Sequence, residues 1–216
     1  MTQDTFQSSS LRLVIRDRAE IATDIFRFEL ARADGADLPE FTAGAHVETC
    51  VPNGLVKKYS LCNDPAERRR YVIAVKREAN GAGGSLSLTR DARIGDAIEV
   101  GEPRNDFPLA ANARNFLFIA GGIGVTPILS MTRHLKSEGN GSFRLYYLTR
   151  SPEMTAFREE LKAAEFSGQV VFHHDGGDPD KALDLWPILE KSQGRHLYCC
   201  GPRPLMEAVR DMSGHW

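Results

Sequence analysis

Apolar positions fall along this chain in two rhythms. From residue 11 to about 104 they come in short bursts, partly alternating with polar residues, at 11–15, 24–31, 45–51, 57–62, 71–77 and 97–100. Turn clusters separate them, among them Pro52-Asn-Gly54, Asn63-Asp-Pro65 and Ile94-Gly-Asp96. Short strands at this spacing predict an antiparallel barrel or sandwich. One glycine-rich interruption, Asn80-Gly-Ala-Gly-Gly-Ser85, leads into a predicted helical turn or two over 86–89.

The rhythm changes after Gly101-Glu-Pro-Arg-Asn-Asp-Phe-Pro108, whose prolines predict a linker. Beyond it, apolar strands at 116–120, 143–148, 169–174 and 196–200 alternate with helices. The helices are predicted after Pro127, over 151–164 from Ser151-Pro152, near 183–191, and from Pro202 through Met206 and Val209. Such alternation means a parallel sheet with helices on both faces, which binds ligands beyond the carboxyl ends of its strands. The expected organisation is a polar, disordered lead-in over 1–10, a barrel over 11–104, a linker over 105–114 and an α/β domain over 115–216.

One stretch carries candidate chemistry on its own. The apolar run 116–120 is followed by Gly121, Gly122 and Gly124, then by Thr126 and Pro127 as predicted N-cap and first helical residue. Ile128, Leu129, Met131 and Leu135 then recur at helical spacing. Strand, glycine turn and helix start together form a seat for a phosphate or pyrophosphate. The same stretch also reads as a plain tight turn. Its pattern is G-x-G-x-x-P, with Pro127 where the dinucleotide fingerprint has a small residue. The next strand ends in Thr149-Arg150, with no acid for a ribose hydroxyl.

Composition narrows the partners. The 216 residues are 42% hydrophobic and 26% charged, with a net charge of -2, so nothing pulls the chain toward nucleic acid or anionic membrane. It has no apolar run of membrane-spanning length. The first ten residues lack the basic start and apolar core of a secretion signal. Cys50, Cys62, Cys199 and Cys200 contain no C-x-x-C and do not fit zinc or cluster spacing, so reduced thiols in a cytoplasmic protein are the simplest reading. His173-His174 would point to opposite faces of a strand, and no metal site is expected there.

Four motifs in order give the sharper reading. Lys57-Lys-Tyr-Ser-Leu61 resembles the flavin motif R-x-Y-S of the ferredoxin–NAD(P)H reductase superfamily. The Gly81-Ala-Gly-Gly-Ser85 loop is similar to its flavin-phosphate loop, Gly121-Gly-Ile-Gly-Val-Thr-Pro127 to its pyridine-nucleotide loop, and Cys200-Gly201-Pro202 to its C-G-P turn. The runs Tyr59-Ser-Leu-Cys-Asn-Asp-Pro65 and Tyr71-Val-Ile-Ala-Val-Lys-Arg-Glu78 resemble the phthalate dioxygenase and vanillate demethylase reductases. The resemblance covers the chain after residue 10. It implies a ferredoxin reductase-like fold, an antiparallel flavin barrel followed by a nucleotide-binding α/β domain.

The resemblance also assigns roles. Tyr59 would offer its ring to the flavin, and Ser60 a hydroxyl at the reactive edge, against ordinary barrel packing. Gly83, Gly84 and Ser85 would bind the flavin phosphate with Lys57, which stands where the family has arginine and lacks its bidentate fork, so the contact is weaker or shared with Lys58. Ala74, Val75 and Lys76 would lie along the flavin through backbone groups, or form a plain barrel strand. Gly121, Gly122, Gly124 and Thr126 would hold the nucleotide's pyrophosphate, with Thr149 and Arg150 beside its ribose. Cys200, Gly201 and Pro202 would admit the nicotinamide, placing Ser60 and Cys200 nearest the reaction; no histidine partner marks Cys200 as a nucleophile.

The implied cofactor is FMN, with FAD as the alternative. The residues by themselves lean toward NADPH through Arg150, whereas the resemblance favours NADH. The implied partners are an iron–sulfur domain or ferredoxin and a Rieske oxygenase that acts on an aromatic acid. The subgroup carries a plant-type [2Fe–2S] domain after the nucleotide domain, but no C-x4-C-x2-C occurs here. A truncated chain and a standalone reductase both remain open.

Overall fold

The computed structural model describes residues 9–139 and 141–216, so most of the lead-in expected over 1–10 lies outside the described residues. Six strands form one antiparallel sheet: β1 (Ser10–Ala22), β2 (Ile25–Ala31), β3 (His46–Cys50), β4 (Val56–Ser60), β5 (Tyr71–Lys76) and β6 (Ala97–Gly101). Their order is β4-β3-β6-β1-β2-β5. Among the described residues, the two edges meet at the bridge Leu61↔Ile73 and the neighbouring bond from the Cys62 amide to the Val72 carbonyl, 2.7 Å. Beyond it no described strand pairs with the facing edges of β4 and β5, which leaves an open seam along 57–60 and 74–76. Helix α1 (Gly84–Asp91) follows β5.

β1 runs through 16–20, well past the expected 11–15. Those residues lack apolar alternation; β2 pairs with them across two register shifts, and the Arg18 guanidinium lies 4.9 Å from the Phe26 ring centre. Tertiary pairing makes this strand.

The second unit is a parallel sheet in the order β10-β7-β8-β9, built from β7 (Asn115–Gly121), β8 (Ser142–Thr149), β9 (Val170–His174) and β10 (His196–Cys200). Helix α2 (Val125–Glu138) joins β7 to β8, and α5 (Arg203–Ser213) follows β10. After β7 the chain builds outward through β8 and β9, then returns to place β10 on the other side of β7. In sheets of this kind ligands bind at such a reversal, here the carboxyl ends of β7 and β10.

Two helices differ from expectation. The single helix expected over 151–164 is a 3₁₀ turn Pro152–Met154, then α3 (Arg158–Lys162), then a 3₁₀ turn Ala164–Phe166. Thr155 is extended and Phe157 takes φ 58, because the Thr149 and Thr155 hydroxyls both donate to the Ser151 carbonyl and hold the chain off a helical path. The helix near 183–191 shrinks to α4 (Trp186–Leu189), started by the Asp184 carboxylate on the Trp186 amide.

The barrel encloses Leu13, Ile15, Phe28, Leu30, Val47, Ile73 and Val100. A second cluster is shared: Ile25, Cys62, Val72 and Ala74 of the barrel pack with Phe116, Phe118, Val125, Ile128 and Met131. The unbroken apolar run of β5 follows from this, since Tyr71, Ile73 and Val75 face the barrel core while Val72 and Ala74 face the α/β unit.

Candidate active site

The turns that follow β7 and β10 are built on glycines. After Gly121 the chain makes a 3₁₀ turn, Gly122–Gly124, that runs directly into α2. The helix therefore starts earlier than expected. Thr126 and Pro127 lie within its first turn, not at the N-cap and first helical position, and the Thr126 hydroxyl donates back to the Ile123 carbonyl at 3.0 Å. Pro127 has no amide to give the carbonyl four residues back, and that carbonyl, of Ile123, takes the Thr126 hydroxyl instead. The amides of Gly122, Ile123 and Gly124 precede the first helical bond, which Val125 makes, and they head the positive end of α2.

The same glycines bring the two loops into backbone contact. A Cβ on Gly124 would stand 2.3 Å from the Cys200 carbonyl oxygen, and one on Gly201 2.9 Å from the Gly121 Cα. A Cβ on Gly121 would meet Pro202 and Leu205 at 2.7 Å. Gly121, Gly122, Gly124, Cys200, Gly201 and Pro202 thus form one wall. Burial raises the Cys200 thiol above its ordinary range and pushes Cys199 up to about 12, so neither is an activated thiolate at neutral pH.

At the ends of the outer strands, Thr149 is turned inward. Its hydroxyl meets the Thr155 hydroxyl at 2.7 Å and His174 Nδ1 at 2.9 Å. Arg150 is exposed, its stem lying near Gly177. His173 is tied to the Lys181 carbonyl, 2.7 Å from Nε2.

The barrel supplies a second seat, along its open seam. Gly83, at φ 85, turns the chain into α1. The stem of Lys57 crosses that helix start so closely that a Cβ on Gly84 would lie 2.7 Å from Lys57 Cε. The Ser85 hydroxyl accepts the Glu78 amide at 3.1 Å, which leaves its own proton free to donate. Strand alternation puts Lys57 and Tyr59 on one face and Lys58 and Ser60 on the other. Tyr59 Oη is buried without a hydrogen-bond partner among the described residues, and burial pushes its pKa up to about 12. A buried, protonated hydroxyl of this kind needs an acceptor. A helix N-terminus bare of side chains, a lysine laid across it and a hydroxyl without an acceptor make a donor set that fits a flavin phosphate and ring.

β5 joins the two seats by running past the Gly122–Gly124 turn. Ala74 packs in the shared cluster, Val75 points into the barrel core, and Lys76 pairs with Glu78 at 2.9 Å. Only the backbone of 74–76 is thus left along the seam. Ser60 lies opposite His46 on β3, and burial together with Lys58 lowers the His46 pKa.

Several supporting residues carried no sequence signal. Asn53, read as a turn residue, donates from its side chain to the Gly83 carbonyl at 3.3 Å and from its backbone amide to the Ser87 hydroxyl at 3.0 Å, fixing the α1 loop. Tyr198 accepts the Ala110 amide at 2.8 Å and stacks edge-on against Phe107, 5.4 Å between ring centres, holding the 105–114 connection. Both depend on partners over twenty residues away.

Known proteins place this arrangement. Residues 118–211 match the oxidoreductase NAD-binding domain. The chain is 60% identical over 200 residues to the phthalate 4,5-dioxygenase oxygenase reductase subunit of Pseudomonas putida, covering 92% of this chain and 62% of that protein. It is 58% identical over 207 residues to the phthalate dioxygenase reductase of Burkholderia cepacia, covering 95% and 64%. A solved phthalate dioxygenase reductase, described as a modular structure for electron transfer from pyridine nucleotides to [2Fe–2S], superposes with a TM-score of 0.94 at 57% identity, over 96% of this chain and 65% of that one. Over nearly all of its own length the chain is similar to phthalate dioxygenase reductases. Its two sheets are the ferredoxin reductase-like fold of that solved reductase. The chain spans under two thirds of the length of these phthalate dioxygenase reductases. The matched NAD-binding domain contains the glycine wall, Thr149, Arg150 and the turn at Cys200. Among the described residues no helix is long and apolar enough to cross a membrane.

Proposed function

We propose that this chain is an NADH-dependent flavin reductase that draws electrons from NADH through FMN to an iron–sulfur centre serving a Rieske-type oxygenase or demethylase of aromatic acids. The observation that carries this reading is the pairing of two phosphate seats, Gly122–Gly124 at the start of α2 and Lys57 with Gly83–Ser85 at the start of α1, on either side of β5. The relatives' names supply the rest: reductases that serve dioxygenases, with pyridine nucleotides as donor and [2Fe–2S] as acceptor. FMN and NADH are preferred to FAD and NADPH on the strength of that likeness.

In this reading each residue has a physical task. The amides of Gly122, Ile123 and Gly124 bind the nucleotide's pyrophosphate at the positive end of α2. The side-chain-free surface at Gly201 lets the nicotinamide approach, and the protonated Cys200 thiol flanks it without attacking. Lys57, Gly83, Gly84 and Ser85 hold the FMN phosphate. Tyr59 donates its buried hydroxyl and lays its ring along the cofactor, while Ser60 offers a hydroxyl at the cofactor's reactive edge. The backbone of Ala74, Val75 and Lys76 borders it along the seam. When bound, FMN would supply the redox chemistry, two-electron uptake from a hydride donor and one-electron release. Thr149 orders the loop beside the ribose through its inward bonds, and Arg150 flanks the adenosine.

Anaerobic mixing of the flavin-loaded protein with NADH tests the reading. Bleaching of the flavin absorbance is expected, and an unchanged spectrum would refute it. Weighing the released cofactor tests the second half: the mass of FAD would sink FMN.

A further inference from the structure

The segment that follows Tyr59-Ser60 has no part in either seat, yet it is buried and fully bonded. Asn63 is 0% exposed. Its side-chain oxygen accepts the Val72 amide at 3.0 Å and its side-chain nitrogen donates to the Arg70 carbonyl at 3.0 Å, which closes the 64–70 loop onto β5. With its side chain so used, Asn63 presents its main-chain carbonyl to the α/β unit. There it accepts the Ser130 hydroxyl at 2.8 Å. One residue earlier, the Cys62 carbonyl accepts Arg133 Nη1 at 2.6 Å. Arg133 is itself held in a fork by Glu160, at 2.8 Å and 2.6 Å.

Ser130 and Arg133 stand three residues apart and so share one face of α2. The same helix begins at the nucleotide seat, and Ser130 lies six residues, about 9 Å, beyond Gly124. At the other end of the connection, Asn63 is three residues beyond Ser60. Two polar links therefore tie the helix whose start forms the pyrophosphate seat to the segment that follows Tyr59-Ser60. The apolar contacts around them, such as Met131 against Gly44, seal the interface but have no preferred register. Hydrogen bonds do, because they fail within a few tenths of an ångström and beyond narrow angles.

We propose that Ser130 and Arg133 are positioning residues that set the register of the nicotinamide seat against Tyr59-Ser60; this rests on the flavin reductase reading above. They touch neither nucleotide. Their effect is on the gap across which the hydride moves, where a displacement of 1 Å costs on the order of a hundredfold in rate.

The test uses the flavin-loaded protein with Ser130→Ala and Arg133→Lys. Four quantities are measured: flavin content, affinity for NAD+, the long-wavelength absorbance of stacked nicotinamide and flavin, and the rate of flavin reduction by NADH in rapid mixing. The expected result is reduction slowed about tenfold, with weaker long-wavelength absorbance, at unchanged flavin content and NAD+ affinity. Ser130→Thr, which restores the hydroxyl, is expected to recover most of the rate. A rate that is unchanged, or that falls only in proportion to lost flavin or lost NAD+ affinity, overturns the proposal. Should Ser130→Ala fail to fold, Arg133→Lys decides by the same criteria. If the parent protein's flavin is not reduced by NADH, it is the flavin reductase reading that has failed.

Discussion

Replacing Gly124 by alanine isolates the contact between the two loops that follow β7 and β10. Its backbone, φ −62 and ψ −7, is open to any L-residue, so alanine adds no backbone strain. Taken alone, the exchange would stabilise by about 0.4–1 kcal/mol through lower entropy of the unfolded chain. The new Cβ would instead stand 2.3 Å from the Cys200 oxygen, 2.5 Å from its carbonyl carbon and 2.7 Å from the Gly201 nitrogen. Carbon contacts are most favourable near 3.5–4.0 Å, so the α2 start and the β10 turn must separate by about 1 Å. Overpacking of this kind costs about 1–3 kcal/mol. The net loss is then up to about 2.5 kcal/mol, or up to roughly 10 °C in Tm for a chain of this size. The separation also falls where the nicotinamide would sit, so hydride transfer is expected to slow by up to about a hundredfold. Circular dichroism melting and rapid-mixing reduction by NADH measure the two effects. A raised Tm with an unchanged reduction rate would show that the loops are not in backbone contact and refute the account of the wall.

Three further outcomes follow from other parts of the site. Tyr59→Phe keeps the ring but removes a buried hydroxyl that has no partner among the described residues; melting curves should show the flavin-free protein unchanged or up to about 1 kcal/mol more stable and the loaded protein less stable, and a loss in both states would contradict the assignment. His46 has a folded pKa below its ordinary value, chiefly through burial, so between that value and about 6.5 the unfolded chain binds the extra proton. Stability should therefore fall as pH drops below about 6.5, and His46→Gln should remove that part of the fall; identical urea midpoints against pH for both proteins would count against it. Arg150→Ala should lower kcat/KM for NADPH about tenfold while leaving NADH within about twofold, whereas equal losses would place Arg150 away from any 2′-phosphate.

Much of the architecture was legible in the sequence because it rests on local rules. Alternation and turn clusters marked the barrel strands, and the βαβ rhythm marked the parallel sheet, since each element's period is fixed by its own backbone. Gly121, Gly122, Gly124 and Gly201 were legible as a loop chemistry, because close backbone approach demands glycine wherever it occurs. The misjudged elements turned on particular pairings and side-chain bonds that no periodicity reports. β1 continued through 16–20 because β2 and Phe26 received it. The helix over 151–164 broke because the Thr149 and Thr155 hydroxyls took the Ser151 carbonyl. Thr126 looked like an N-cap and became a first-turn residue because the glycine turn was already helical.

What the chain offered by itself was the residues proposed for the two seats: Lys57, Tyr59, Gly83 and Gly84 in one, the glycines after β7 in the other. What only the tertiary structure decided was how they face each other. No periodicity reports that the Cys62 and Asn63 carbonyls leave the barrel to meet Ser130 and Arg133, nor that Gly124 presses on Cys200. Those contacts join residues more than sixty positions apart, where the sequence specifies the groups but only the packed chain specifies the distance between them.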